Sequence, residues 1–283
     1  MAMLIDGKRI SAEIREEIKV ETANFEKENG YLPGLAVVIV GENPASQVYV
    51  RNKKRACEEV GFYSEVHELP EATTQAELNA LVDKLNADEK IHGILVQLPL
   101  PKHLDENEVL LRIDPKKDVD AFHPYNVGKI MIGDYDFLPC TPAGVMALLE
   151  RSNVEIAGKK CVVIGRSNIV GKPMAMLLLH ANGTVTICHS RTKDLAATCR
   201  EADILVVAIG RADFVGADMV KEGAVVIDVG MNRRSDGKLT GDVDFAAVEP
   251  IASAITPVPG GVGPMTITML LKNTLTAARK SKQ

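Results

Sequence analysis

The chain has 283 residues, of which 46% are hydrophobic and 25% charged, and its formal net charge is −5. That composition belongs to a folded globular protein and excludes a disordered or collagen-like chain, while the acidic balance argues against a surface built to coat nucleic acid. At roughly 150 residues per domain, the length predicts about two domains. The apolar runs at residues 35–40 and 204–209 fall far short of the ~18 to 20 residues that cross a bilayer, so no membrane association is expected. Residues 1–6 lack a basic stretch followed by a long apolar core, so no secretory signal is expected.

In chain order, Ile10, Ile14 and Ile18 predict a long N-terminal helix. Residues 35–40, rich in β-branched side chains and bounded by Gly34 and Gly41, read as a buried parallel strand. A helix follows over 45–60, stopped by Gly61, then an alternating strand over 63–68. Residues 74–85 form an apolar helical stripe, with Thr74 and Glu77 at capping-box spacing. The next strand is 93–98. Residues 99–140 contain five prolines and break the rhythm, which predicts an irregular functional or connecting stretch. Thr141 and Pro142 read as the N-cap and first position of a new helix. A second strand–helix series follows: strands at 161–164, 184–188, 204–209 and 224–229, helices at 170–181 and 194–201. A Gly/Pro-rich loop over 256–264 leads to a last helix over about 265–278.

Strands alternating with helices predict an α/β protein of two lobes with parallel sheets. The first lobe would span 1–140 and the second, Rossmann-like and dinucleotide-binding, 141–264, with the active-site cleft between them. The last helix, about 265–283, is expected to pack back on the first lobe.

Cysteines at 57, 140, 161, 188 and 199 are odd in number and form no CxxC pair. Neither disulfides nor a zinc site is expected, and a reducing, cytoplasmic compartment is. His92 and His103 have no carboxylate at ligand spacing and are read as structural or solvent-facing; no metal is expected.

The second lobe opens with a strand, a tight turn and a helix start at 163–173. That is the geometry that sets a pyrophosphate on helix N–H groups. It departs from GxGxxG: Ser167 stands for the second glycine, and Gly171 is one residue late. An ordinary glycine turn is the alternative. The following strand ends in Cys188-His189-Ser190-Arg191. It lacks the acid that holds an NAD ribose, whereas Ser190 and Arg191, with Arg166 in the glycine turn, suit a 2′-phosphate. The alternative for Arg191 is a solvated loop residue.

In the first lobe, Tyr49 and Lys53 are four apart and share a helix face. A lysine taken out of water can act as acid or base near neutrality. The alternative is a solvated basic run, since Arg51, Lys54 and Arg55 flank it. Gln97 falls at the C-terminal end of its strand, where open α/β sheets place ligand contacts. Asp118 and Asp120 lie in the irregular stretch, where each could equally be a loop or capping carboxylate. The Gly260-Gly261-Val262-Gly263 run lacks the Lys-Ser/Thr of a Walker motif, which excludes a P-loop.

Together these motifs resemble the bifunctional methylenetetrahydrofolate dehydrogenase/methenyltetrahydrofolate cyclohydrolase family of bacterial type, over nearly the whole chain. The matching stretches are residues 41–46 with Tyr49 and Lys53, 93–101, 117–120, 139–142, 165–167 with 169–171, and 256–266. The resemblance implies that Lys53 is the catalytic lysine, Gln97 its hydrogen-bond partner, Tyr49 the ring that packs on folate, and Asp120 the carboxylate that holds the pterin. It implies NADP contacts at Gly165, Arg166, Ser167, Ser190 and Met231, and substrate contacts at Pro259, Gly260 and Gly261. It also implies tetrahydrofolate substrates and a homodimer through the cofactor lobe. The expected reaction oxidises 5,10-methylenetetrahydrofolate with NADP⁺ and hydrolyses the product to 10-formyltetrahydrofolate, the alternative being a dehydrogenase with weak or lost cyclohydrolase activity. Two departures stand out. Ala121 replaces a usual Gly, which matters only if that backbone needs positive φ. Met231 replaces a usual Ile.

Overall fold

The computed structural model describes residues 2–282. A short strand β1 (Met3–Leu4) leads into α1 (Gly7–Asn29). Then β2 (Gly34–Val40), α2 (Pro44–Val60), β3 (Tyr63–Leu69), α3 (Gln75–Ala87) and β4 (Gly93–Val96) alternate, followed by α4 (Glu106–Arg112) and α5 (Pro124–Ile132). The second series runs α6 (Cys140–Arg151), β5 (Lys160–Ile164), α7 (Gly171–His180), β6 (Thr184–Cys188), α8 (Leu195–Cys199), β7 (Ile204–Val207) and β8 (Val225–Asp228). A hairpin of β9 (Asn232–Arg233) and β10 (Leu239–Thr240), then α9 (Phe245–Val248), β11 (Ala254–Ile255) and α10 (Val262–Lys280), complete the chain.

These elements form two compact units. Residues up to Ala12 group with Pro139–Thr266, and Glu13–Leu138 groups with the chain from Ile267 onward. In the second of these, β2 is the centre of a parallel three-stranded sheet of order β3-β2-β4. Every residue of β2 is buried, the signature of a strand covered on both faces. Leu78, Val82 and Leu85 of α3 pack with Val38, Ile94 and Val96. The predicted capping box is present: Thr74 accepts from the Glu77 N–H while Glu77 accepts from the Thr74 N–H. Asn273, on α10, donates through Nδ2 to the carbonyls of Val119 and Leu138, both at 2.8 Å, and so ties the last helix into this unit.

The other unit holds a six-stranded sheet of order β1-β11-β8-β7-β5-β6, parallel throughout. The pairing of Met3 with Ala254 and Leu4 with Ile255 draws the first residues of the chain into it.

Two local expectations need correction. Residues 99–140 are not irregular throughout, since α4 and α5 lie there. Asp105 caps α4 through the N–H groups of Asn107 and Glu108, and His123 caps α5, which has Pro124 at its first position and Gly133 at φ 80° as its stop. Thr141 does not cap α6. Pro139 holds the cap position with no side-chain bond, and Thr141 Oγ1 lies 3.1 Å from Thr266 Oγ1.

Replacing Asn273 with Leu keeps the volume but leaves two carbonyls without their donor. Such a loss is worth about 1–3 kcal/mol. Urea unfolding of Asn273→Leu should show it, and an unchanged midpoint would mean that this bond does not anchor α10.

Candidate active site

The strand β2 ends in Gly41, at φ +80°, where a Cβ would lie 2.0 Å from the Glu71 carboxylate. The chain turns there and Asn43 starts α2. Its Oδ1 accepts from the Ser46 N–H at 3.1 Å and its carbonyl from the Gln47 N–H, while Pro44 takes the first helical position. The run 41–46 thus fixes where α2 begins, and with it the rotation of the helix.

That rotation divides the basic run. Arg51, Lys54 and Arg55 are exposed, whereas Lys53 is only 8% exposed, on the face shared with Ala56, Cys57 and Val60. The solvated-run reading therefore fails for Lys53. Its Nζ donates to Gln97 Oε1 at 2.8 Å. Gln97 follows β4, and its own N–H bonds to the Val38 carbonyl, extending the ladder. Its Nε2 donates to the Leu98 carbonyl at 2.7 Å, which fixes the amide so that its oxygen faces the ammonium. Tyr49, one turn earlier on α2, is 43% exposed. The structure thus holds a buried amine against a neutral acceptor, with an open aromatic ring on the same helix.

Residues 117–121 divide their labour. Lys117 Nζ donates to the carbonyls of Leu85 and Asp88 at the end of α3. Asp118 is 2% exposed and accepts from the His123 N–H and Asn126 Nδ2, each at 2.8 Å. Burial pushes its pKa upward against those bonds. Asp118 is thus a loop carboxylate, which ties the turn to the start of α5. A parallel bridge pairs Asp118 with Ile94, and the chain then turns, the Ala121 N–H donating to the Asp118 carbonyl, so that Asp120 lies in that turn. Asp120 stays partly exposed. Ala121 has φ +57°, so this position is one where its side chain is a burden. The left-handed conformation costs a non-glycine residue about 1–2 kcal/mol.

In the six-stranded unit the glycine turn is sterically obligatory. A Cβ on Gly165, at φ +132°, would lie 2.4 Å from the Ala208 carbonyl oxygen, and one on Gly171 2.3 Å from that of Gly165. Ser167 Oγ accepts from the N–H groups of Val170 and Gly171 at 3.2 Å, so the residue in the second glycine's place holds the turn that leads into α7. Arg166 and Ser190-Arg191 are exposed beyond the carboxyl ends of the adjacent strands β5 and β6. The turn beyond β6 is held by His189 Nδ1, which accepts from the Arg191 N–H, and by Thr192 Oγ1, which accepts from the His189 N–H. Among the described residues, neither guanidinium has a carboxylate partner. This arrangement has the features that suit a phosphorylated dinucleotide: a close-packed glycine turn between strand and helix, and two guanidinium groups without a carboxylate partner.

Pro259, Gly260 and Gly261 fall in this same unit. Gly260, at φ +113°, accepts from the Lys8 N–H, and a Cβ on Gly7 would lie 1.8 Å from the Gly261 carbonyl oxygen. Met231 is 45% exposed, with its Cε 3.0 Å from where a Cβ on Gly263 would stand.

Two carboxylates escaped the sequence reading. Asp228, 3% exposed, accepts from the N–H groups of Gly230, Asp242 and Val243. Asp242, fully buried, accepts from those of Ile209, Gly210 and Arg211 and from Asn232 Nδ2. Each carboxylate fills the space a Cβ would take on a glycine, Asp228 at Gly241 and Asp242 at Gly230. Together they shape the loops after β7 and β8, including the one that presents Met231. Burial pushes the Asp228 pKa up to about 6. The only trace in sequence is the pair Asp228-Val-Gly230 and Gly241-Asp242.

Residues 5–120 match the family model described as the catalytic domain of tetrahydrofolate dehydrogenase/cyclohydrolase, and residues 139–282 match its NAD(P)-binding domain. The chain is 64% identical over 279 residues to the bifunctional protein FolD of Moorella thermoacetica, covering 99% of both chains. It is 61% identical to that of Acetivibrio thermocellus over 98% of this chain and 97% of the relative. The crystal structure of the FolD dehydrogenase/cyclohydrolase of Campylobacter jejuni superposes with TM-score 0.96 at 53% identity, covering 99% of this chain and all of that one. That of Trypanosoma brucei, complexed with NADP cofactor and inhibitor, gives 0.95 at 44% identity, covering 100% of this chain and 99% of the other. With both domain models matched and relatives this similar along almost the entire length, the chain belongs to the tetrahydrofolate dehydrogenase/cyclohydrolase family.

Proposed function

We infer that the chain is a bifunctional folate enzyme, which oxidises 5,10-methylenetetrahydrofolate with NADP⁺ and hydrolyses the 5,10-methenyl product to 10-formyltetrahydrofolate. The observation that carries the second activity is the buried Lys53 ammonium on Gln97 Oε1 at 2.8 Å. An amine held there offers a group that can exchange protons with an attacking water. The dehydrogenase-only alternative has no observation in its favour.

Bound NADP⁺ supplies the hydride acceptor of the first step. The protein's part is to position. Asp120 would pair with adjacent N–H groups of the pterin, and the Tyr49 ring would pack on it. Gly165, Arg166, Ser167, Ser190, Arg191 and Met231 would hold the dinucleotide, with the two arginines on its 2′-phosphate. Pro259, Gly260 and Gly261 would contact substrate through backbone groups. In the second step a water oxygen bonds to the electrophilic methenyl carbon and loses a proton. The C–N5 bond then breaks as N5 gains a proton, leaving the formyl group on N10. Lys53 is the group we assign to these proton transfers, with Gln97 holding its Nζ in place.

We further propose that the enzyme works in the cytoplasm as a homodimer through the six-stranded unit. Among the described residues no helix is long and apolar enough to cross a membrane. The strand β6 lies at an edge of its sheet, with Ile187 38% exposed, which suits strand pairing with a second copy.

Lys53→Met should lower the cyclohydrolase rate by roughly 10²-fold or more. Dehydrogenase activity should fall less, so the methenyl intermediate should accumulate. Absorbance of that intermediate beside NADPH formation separates the two, and hydrolysis at the wild-type rate would remove Lys53 from the mechanism. Asp120→Asn should weaken folate binding and reduce both activities, while NADP⁺ affinity, measured by calorimetry, stays put. Lost cofactor affinity with intact folate binding would reverse the assignment of the two sites. The enzyme should prefer NADP⁺ to NAD⁺ by about 10- to 150-fold in kcat/KM, the worth of one charge-assisted contact at roughly 1.5–3 kcal/mol. Equal use of both cofactors would show that Arg166 and Arg191 do not face a phosphate.

A further inference from the structure

The three-stranded unit contains a cavity of about 1170 Å³ far from Lys53. Its wall includes residues at the amino ends of the sheet, Tyr63 at the start of β3 and Ile91 and His92 just before β4. Gln97 sits at the opposite, carboxyl end of that sheet. A seven-residue strand such as β2 separates the two ends by about 20 Å. The folate and dinucleotide assignments use none of this wall.

Three features define what the cavity would hold. The first is aromatic surface. Aromatic residues are 4% of the chain, yet three of its five tyrosines, Tyr31, Tyr63 and Tyr125, line this cavity together with Phe137. Tyr31 is anchored: it stacks on His92 at 5.3 Å and 13°, and meets Phe25 edge-on at 5.2 Å. The second is a buried donor. His92 is 4% exposed, and its Nδ1 accepts from the Gly34 N–H at 3.0 Å. That bond leaves the ring proton on Nε2, which has no protein partner among the described residues. The third is positive charge. Lysines in the wall outnumber carboxylates, and one of those carboxylates, Asp136, is already taken by Lys129 and Lys280. Lys90 and Lys116 have no carboxylate partner among the described residues, and Lys282 lies over the Tyr31 ring at 4.7 Å. The counter-charges are Glu26 and Glu89, both exposed, and Asp114, whose Oδ1 accepts from the Lys116 backbone N–H at 2.9 Å.

We propose that this cavity is a second small-molecule site, for a planar aromatic anion whose ring lies among the tyrosines, whose acceptor meets His92 Nε2–H, and whose acidic group faces Lys90 and Lys116. A volume of this size suits a ligand of ordinary metabolite dimensions. Burial pushes the His92 pKa down to about 4, so the ring remains a neutral donor throughout the physiological range. The wall also contains Asn126, whose Nδ2 holds Asp118 and the Pro115 carbonyl. The cavity therefore adjoins the residue that shapes the turn carrying Asp120.

The probe is 2-naphthoate, titrated by calorimetry into the full-length protein saturated with NADP⁺. An aromatic ligand of this size should bind at one site with a Kd of about 1 mM or tighter. The double variant Lys90→Glu/Lys116→Glu alters only exposed side chains and should weaken binding about tenfold or more. Lys53→Met should leave naphthoate affinity unchanged, because that lysine lies at the other end of the sheet. The proposal falls if no saturable binding appears up to about 10 mM. It falls equally if the double variant binds as well as wild type. Loss of binding in Lys53→Met would also overturn it, by placing the naphthoate in the folate site instead.

Discussion

A lysine ammonium kept out of water must be given a partner, and Gln97 Oε1 supplies one at 2.8 Å. The bond between Lys53 Nζ and Gln97 Oε1 joins α2 to the end of β4. A carboxylate in place of Gln97 would favour the charged amine, whereas the amide oxygen holds its position without adding a negative charge. Much of the surrounding unit serves that one contact. Asn43 and Pro44 set the start of α2, so that position 53 rather than 51, 54 or 55 turns inward. Gln97 extends the ladder beside β2, and its Nε2 is tied to the Leu98 carbonyl, so the amide cannot flip without losing two bonds.

The same economy governs the buried acids. Asp118, Asp228 and Asp242 all spend their oxygens on backbone N–H groups in turns. A buried carboxylate is tolerable only when so bonded, and it organises several loop residues at once. Asp118 shapes the turn from which Asp120 projects, and Asp228 and Asp242 shape the loops beyond β7 and β8. In each case one carboxylate is buried to build the loop, and the groups left exposed nearby, Asp120 and Met231, are those with proposed ligand contacts. Ala121 shows the limit of such tuning, since it accepts a left-handed backbone that glycine would take without strain.

The alternation of strands and helices was legible because long apolar periods survive without tertiary context. The 23-residue α1, the fully buried β2 and the capping box at Thr74 all announce themselves. The short helices α4 and α5 did not, because seven and nine residues carry too few turns to show a period. Their caps, Asp105 and His123-Pro124, were the available signals. Tyr49, Lys53, Gln97 and Asp120 could be chosen from spacing and resemblance, but the residue pattern by itself could not separate Lys53 from the basic run around it. Only the rotation of α2 decides that. Asp228 and Asp242 were invisible because each meets a glycine that adjoins the other in space but lies more than ten residues away in sequence. The cavity around His92 was hidden for the same reason, since its walls come from seven separate stretches of the chain.

The central proposal is that Lys53 moves protons while Gln97 holds its Nζ. The most direct measurement is the pH dependence of methenyltetrahydrofolate hydrolysis in wild type and in Gln97→Glu. A carboxylate at that position favours the charged amine, so the ionisation that controls hydrolysis should move upward by about one pH unit or more. The pH profile of dehydrogenation should stay where it is. A hydrolysis profile that keeps its wild-type midpoint in Gln97→Glu would contradict the account, because the titrating group would then not be the amine that Gln97 holds.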